Sequence, residues 1–267
     1  MTFVVKHLDI AKTFDCGQSF RFDKTGENSW SGVAFGRFVT FTQPSPDTLE
    51  VTPCTSDEWE QIWQPYFALD MDYDTMRADI VARCDRDTMR HALDAGSGIR
   101  ILRQDSWEAL ASFIISQNNN IPRIKGSIMR LCAALGEPIG GDNFAFFTPE
   151  SLLQAGEEPL RSCGVGFRAK YLLDAAEKVT SGALDLAALK QNTTEQALAA
   201  LQSVRGVGPK VAACVALFGL GKMDAFPRDV WVNRSMTAHF DADFDPFTLG
   251  EYAGLAQQYL FYRERYL

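Results

Sequence analysis

The chain has 267 residues, a formal net charge of −8 and 46% hydrophobic residues, with 12% aromatics. That length makes one large domain or two of ordinary size, and the apolar fraction supports a real core. The acidic balance argues against a polyphosphate-binding protein and predicts weak, salt-sensitive non-specific contact with nucleic acid. No apolar run approaches the roughly 18 residues of a membrane span, and the N-terminal MTFVVKHLDIAK lacks a signal-peptide core, so a cytoplasmic location is expected. The six cysteines (Cys16, Cys54, Cys84, Cys132, Cys163 and Cys214) stand at least thirty residues apart, which excludes a CxxC zinc site or a tight iron–sulfur loop. They read as reduced intracellular thiols. Three scattered histidines make no metal site.

The first hundred residues predict a mixed region. Thr2–Val5 reads as a short strand, and Phe20–Phe22, Trp30–Phe35 and Arg37–Thr42 as antiparallel strands, the last two turning at Phe35-Gly36-Arg37. Leu49–Thr52 predicts another. A capping-box pattern at Ser56 (SDEW) opens helical signals that recur over Asp74–Arg90, and Ala95-Gly96-Ser97-Gly98 reads as a linker. Domains are therefore expected at 1–98 and 99–267.

From Leu102 the pattern is helical. Asp105-Ser106-Trp107-Glu108 predicts a capped helix with Trp107, Leu110, Ala111 and Ile114 as its stripe, broken by Asn118-Asn119-Asn120. Pro122 starts a second, with Gly136 as its stop. A loop is expected over 137–150, then helices near 149–156, 158–163, 166–180 and 194–203, and a last one over about 249–264 that carries Leu255, Tyr259 and Tyr262 on one side.

The richest stretch is LQSVRGVGPKVAACVALFGLGKMDAFPRD, Leu201 to Asp229. Gly206 and Gly208 allow a tight turn around Val207 whose N–H groups approach an anion. Pro209 suits a first helical position, and the positive helix end faces whatever docks on the turn, typically phosphate. Lys210 then opens an almost wholly apolar helix. A dry wall and a positive dipole end disfavour its ammonium form, the recipe for an amine nucleophile. A bare GxGPK reads more readily as an ordinary turn with a snorkelling lysine.

The full string resembles the helix-hairpin-helix motif of DNA glycosylases, with Pro227-Arg228-Asp229-Val230 as the aspartate (GPD) element. Nearly the whole chain is similar to the 8-oxoguanine DNA glycosylase/lyase family. The similarity rests on Gly17-Gln18-Ser19-Phe20-Arg21-Phe22, Tyr66-Phe67-x-Leu69-Asp70, Ser116-x-Asn118-Asn119-Asn120-Ile121-x-Arg123-Ile124, Gly166-Phe167-Arg168-Ala169-Lys170-Tyr171, the hairpin (about 195–220), and Tyr252-Ala253-Gly254-x-Ala256-Gln257-x-x-Leu260-Phe261. It implies an α+β fold: a small antiparallel, TBP-like sheet domain joined to an all-α glycosylase domain, with the site between them. The partner implied is double-stranded DNA containing oxidised guanine, bound by a monomer.

By this resemblance Lys210 attacks the sugar C1′ of a flipped nucleotide, and Asp229 stabilises the positive sugar, although Asp229 also reads as a plain helix N-cap. The Gly17 carbonyl would accept the N7–H that oxidation adds to guanine. One such contact is worth roughly 1–3 kcal/mol, whereas finding a lesion among about a million guanines needs roughly 8 kcal/mol, so flipping and chemistry must also discriminate. Phe261 and Gln257 would stack on and hydrogen-bond the base, with Cys214 opposite; as residues alone, Phe261 and Cys214 read equally as core. Asn118 would fill the gap, Arg123 and Arg168 would hold the orphaned cytosine, and Phe167 would wedge beside it. Without the family, Asn118 reads as a helix C-cap and the arginines as a solvated face.

No cofactor is implied beyond a structural monovalent cation at the carbonyls of Gln202, Val204 and Val207 when DNA is bound. Trp231 stands where eukaryotic members carry a phosphate-contacting histidine, and Phe167 where they carry tyrosine, which suggests a bacterial-type branch. The competing readings are an alkylated-purine glycosylase, which would not need Lys210, and a non-catalytic hairpin protein, which would have no use for Lys210, Asp229 and Gln257 together.

Overall fold

The computed structural model describes residues 1–267. Five strands, β1 (Thr2–Val4), β2 (Phe22–Lys24), β3 (Ser29–Ala34), β4 (Arg37–Ser45) and β5 (Thr48–Thr52), form one antiparallel sheet in the order β1-β5-β4-β3-β2. The β3–β4 turn lies at Phe35-Gly36, both with positive φ (51° and 68°), the primed geometry that matches strand twist. β2 starts at Phe22 and not at Phe20. Phe20 leaves the sheet and packs edge-on against Phe113, ring centroids 5.6 Å apart.

One sheet face is closed by a short helix that periodicity could not reveal, Ile10–Asp15, capped by Asp9, whose carboxylate accepts from Lys12 N at 2.9 Å. Its Phe14 stacks on Phe22 at 4.3 Å. The helical stretch Ser56–Tyr66, with a π turn at Trp59–Trp63, adds Trp63 and Tyr66 to the same core. Its capping box is one residue earlier than expected: Thr55 caps, and Glu58 reaches back to it. Thr55–Glu58 has the S/T-x-x-E spacing the motif requires, which Ser56 lacks.

A larger apolar core of 57 buried residues lies in the helical body. The run expected over Asp74–Arg90 is two helices, Tyr73–Arg83 and Asp87–Ala95, broken where Cys84 leaves helical geometry (φ −141°). Both join the larger core, the second against the C-terminal helix Ala253–Tyr266. The chain therefore crosses between the two cores repeatedly, and two buried polar residues stitch the crossing. Gln18 donates to the carbonyls of Thr13 (2.9 Å) and Arg100 (2.8 Å) and accepts from Leu102 N (2.9 Å). Arg100, 4% exposed, donates to the carbonyls of His7 (3.0 Å), Ala68 (2.7 Å) and Lys6 (3.0 Å).

The central helices are Ser106–Ser116, capped by Asp105 as expected, and Pro209–Leu220. They pack so tightly that a Cβ on Gly219 would lie 2.7 Å from that of Ala109. Ile121–Leu135 follows, capped by Asn120 with Pro122 in its first turn, and Gly136 ends it in an extended conformation. The expected loop contains a small hairpin, Pro138–Gly140 with Asn143–Phe144. The remaining helices include Pro149–Ala155, Ala169–Thr180, Thr194–Leu201 and Val230–His239. No helix is long and apolar enough to cross a membrane.

Candidate active site

The hairpin is built by Thr194–Leu201, the turn 202–208, and Pro209–Leu220. The two glycines differ. Gly206 has φ +79°, and a Cβ there would sit 2.4 Å from the Tyr171 ring, so both conformation and space demand glycine. Gly208 is extended (φ −94°, ψ −179°), and a Cβ on it would meet nothing within 4 Å. Its bareness leaves the backbone open to a ligand. Val207 turns its side chain inward, 6% exposed, while its N–H bonds the Val204 carbonyl at 3.0 Å. Gly206→Ala is expected to destabilise the chain by about 1–3 kcal/mol through the left-handed φ alone, measured by urea unfolding; a loss below about 0.5 kcal/mol would contradict the Tyr171 contact.

Pro209 occupies the first helical turn as expected, and Lys210 follows it at the lip of a cavity of about 220 Å³. The Lys210 ammonium lies 5.7 Å from the centroid of the Phe113 ring, which itself stacks on Phe218 at 5.5 Å. One helical turn on, Cys214 forms part of the wall. Burial pushes its thiol up, with the Lys210 amine acting in the opposite sense. Asp229 also lines the cavity. One oxygen, Oδ1, accepts from Val232 N at 2.8 Å and caps Val230–His239, which fixes the carboxylate in place.

The C-terminal helix supplies a third wall. Gln257, Phe261 and Arg265 recur every four residues and all line the cavity. Gln257 is 3% exposed, and its Oε1 is buried with no hydrogen-bond partner. An orphan acceptor of this kind costs roughly 1–3 kcal/mol, and on a residue that lines the cavity it marks where a donor on a ligand belongs. The neighbouring Gln258 donates to the Cys16 carbonyl at 2.7 Å, which ties this helix to the Cys16-Gly17 loop. Gly17 has φ +76°, and a Cβ there would lie 3.6 Å from the Phe261 ring.

Lys210, Asp229, Gly17, Cys214, Gln257 and Phe261, expected from sequence, thus share one cavity. Sequence reasoning missed Phe20, Phe113, Phe218 and Arg265 as lining. Phe218 carried a signal, since it continues the Lys210–Cys214 spacing by four.

Asn118, Arg123, Phe167 and Arg168 gather beside the cavity and not in it. Asn118 has φ +46° and breaks the chain between two helices. Phe167 is exposed (49%), and so is Arg123. Arg168 differs from the expectation of a free fork. It is 6% exposed, and its guanidinium donates to the carbonyls of Gln117 (2.8 Å), Asn118 (3.0 Å) and Val165 (3.2 Å). Here it braces the turn that carries Asn118. No group of three or more His, Cys, Asp or Glu is placed to hold a metal ion.

Residues 1–110 match the family model of the 8-oxoguanine DNA glycosylase N-terminal domain, and residues 111–246 that of the HhH-GPD superfamily base excision DNA repair proteins. The chain is 32% identical to an Arabidopsis thaliana N-glycosylase/DNA lyase OGG1, over 96% of this chain and 77% of that protein. It is 35% identical, with a TM-score of 0.89, to a Clostridium acetobutylicum 8-oxoguanine glycosylase/lyase solved with double-stranded DNA containing cytosine opposite 8-oxoG, covering 98% of this chain and 93% of that one. A 3-methyladenine DNA-glycosylase from Archaeoglobus fulgidus, at 21% identity and a TM-score of 0.77 over 100% and 99% of the two chains, shares the fold alone. With both family models covering successive parts of one chain and an amine and a carboxylate meeting in one cavity, the chain belongs to the 8-oxoguanine DNA glycosylase/lyase family of the HhH-GPD superfamily.

Proposed function

We propose that the chain extrudes 8-oxoguanine from duplex DNA into this cavity, releases it and nicks the strand. The observation that carries the reading is the meeting of Lys210 and Asp229 in a cavity whose wall holds the unpartnered Gln257 Oε1. Lys210 Nζ, once its ammonium proton has passed to solvent, attacks C1′ as the C1′–N9 bond breaks; the electron pair leaves with the base, which takes up a proton. The Asp229 carboxylate lowers the energy of the positive sugar that develops. Loss of the amine proton and opening of the sugar ring give a Schiff base. Abstraction of a C2′ proton then expels the 3′ phosphate.

Phe261 stacks on the base against the Cys214 wall, Gln257 pairs its Watson–Crick edge, and the Gly17 carbonyl accepts N7–H, which guanine lacks. The hairpin N–H groups at Gly206 and Gly208 take the DNA backbone, while the Val207 N–H, held by the Val204 carbonyl, fixes the turn between them. Asn118 fills the vacated stack, Phe167 wedges beside it and Arg123 holds the orphaned cytosine. Arg168 serves first as the brace of the Asn118 turn, and meets the cytosine only by releasing the carbonyls it now holds. A monovalent cation at the Gln202, Val204 and Val207 carbonyls is structural. The Val204 carbonyl already takes the Val207 N–H at 3.0 Å and keeps a second lone pair. A single chain supplies every residue of the cavity, which supports action as a monomer.

The test is borohydride trapping on a duplex with one 8-oxoguanine opposite cytosine. A covalent adduct and a nick support the reading; release of alkylated purines alone would replace it. The lesion opposite adenine is expected to be cut more slowly, and Arg123→Ala to narrow that gap by about tenfold or more, as for one base-edge contact. Equal cutting opposite both bases by the native chain would sink the cytosine preference.

A further inference from the structure

Arg265 is the cavity residue with no assigned task. It stands near the end of the C-terminal helix, two turns beyond Gln257 and one beyond Phe261. In the same tail Glu264 faces Arg263 at 3.9 Å and His239 at 4.0 Å, yet Arg265 has no carboxylate partner. Its guanidinium lies over the Phe261 ring, 5.6 Å from the centroid, and over that of Tyr266 at 5.1 Å. It also flanks Gly17: Nη1 lies 3.8 Å from where a Gly17 Cβ would stand. The cavity thus sets a fork of N–H donors next to a main-chain acceptor, with a buried, unpartnered amide acceptor further along the same helix.

We infer that Arg265 reads the 8-oxygen of the extruded base, so that Gly17 and Arg265 together recognise the two atoms that oxidation changes. The inference rests on the function proposed above. Around the rim of 8-oxoguanine, N7–H is flanked by the 8-oxygen on one side and the 6-oxygen on the other. A glutamine amide offers an acceptor and a donor side by side, which matches N1–H and the 6-oxygen. With Gln257 on that edge and the Gly17 carbonyl on N7–H, the oxygen left without a donor is the 8-oxygen. The group beside Gly17 is the guanidinium, whose charge-assisted bonds are the strong ones. Guanine, with a C8–H and a bare N7 lone pair, offers neither contact and sets its C8–H against a cation.

Arg265→Leu keeps an apolar stem over Phe261 and removes the fork. For 8-oxoguanine opposite cytosine, kcat/KM is expected to fall about 10- to 100-fold, the loss of one charge-assisted contact. Nicking of a preformed abasic site opposite cytosine, which has no base to read, is expected to stay within about twofold of native, and Arg265→Lys to be intermediate. A second readout fixes the atom. In a Lys210→Gln background, Arg265→Leu should weaken binding to duplexes carrying 8-oxoguanine and 8-oxoadenine alike, because both keep N7–H and the 8-oxygen. Weakening for 8-oxoguanine only would move the contact to the 6-oxygen and overturn the inference. So would an equal loss on the abasic duplex, the mark of a structural or backbone role, or unchanged excision. Failure of the native chain to release 8-oxoguanine would instead strike the parent reading.

Discussion

Lys210→Gln is expected to abolish borohydride trapping and strand nicking and to slow base release by roughly 10³-fold or more, the scale of removing a group on which the chemistry turns. Glutamine keeps a polar side chain at the lip and cannot form a Schiff base. The substitution should spare the fold, because Lys210 is only half-buried and its clear packing partner is the Phe113 ring at 5.7 Å. A contact of that kind is worth about 0.5–1 kcal/mol, which a thermal melt would register as a small shift. Affinity for the lesion duplex should persist, since the base-facing groups are Gly17, Gln257, Phe261 and Arg265 and the backbone-facing groups are main-chain N–H. Among the residues lining the cavity, Lys210 is the one amine. Lys125 is tied to Asp23 at 2.8 Å, and the N-terminal amine to the Val51 carbonyl at 2.8 Å on the sheet. Trapping that survives in the variant would therefore need an amine from outside the cavity, and the assignment of Lys210 would fall.

What could be foreseen and what could not divide along physical lines. The Asp105 cap, the Phe35-Gly36 turn and the hairpin were legible because each is specified by neighbours within a few residues. Six of the residues that line the cavity were legible through the family strings, not through periodicity, since Gly17 and Phe261 are joined only by tertiary packing. The helix Ile10–Asp15 is too short to show a 3.6-residue period, and the π turn at Trp59–Trp63 has no sequence signature. Phe20 sits in a string that reads as a strand, yet the Gln18 hydrogen bonds to Thr13, Arg100 and Leu102 turn the chain away before β2 begins. Arg168 looked like a free fork because nothing in Gly166-Phe167-Arg168 reveals that the Gln117 and Asn118 carbonyls of a distant segment converge on it, beside that of nearby Val165. Arg265 carried only the weak signal of continuing the Gln257–Phe261 spacing by four. Its place follows from the Gln258–Cys16 hydrogen bond, which spans nearly the whole chain to bring the last helix against the Gly17 loop.

The second large effect is expected at Asp229, where two roles coincide and can be separated. Asparagine caps a helix about as well as aspartate, so Asp229→Asn should keep the bond to Val232 N, now 2.8 Å, and melt close to native. It removes the negative charge that faces the developing positive sugar. Losing one preorganised electrostatic group in a closed site costs about 10²- to 10³-fold in rate, and base release by Asp229→Asn should fall by that much. Asp229→Ala removes charge and cap together. It should match the asparagine variant in rate and lose about 1 kcal/mol of stability besides. Nicking of a preformed abasic site gives the third comparison. No base departs there, so the sugar never carries the charge that Asp229 opposes, and the asparagine variant should lose less on that substrate than on the lesion. If Asp229→Asn instead releases 8-oxoguanine within about threefold of native while Asp229→Ala is unstable, the carboxylate is a helix cap alone. The stabilising charge would then have to come from elsewhere, and the cavity offers no second carboxylate to supply it.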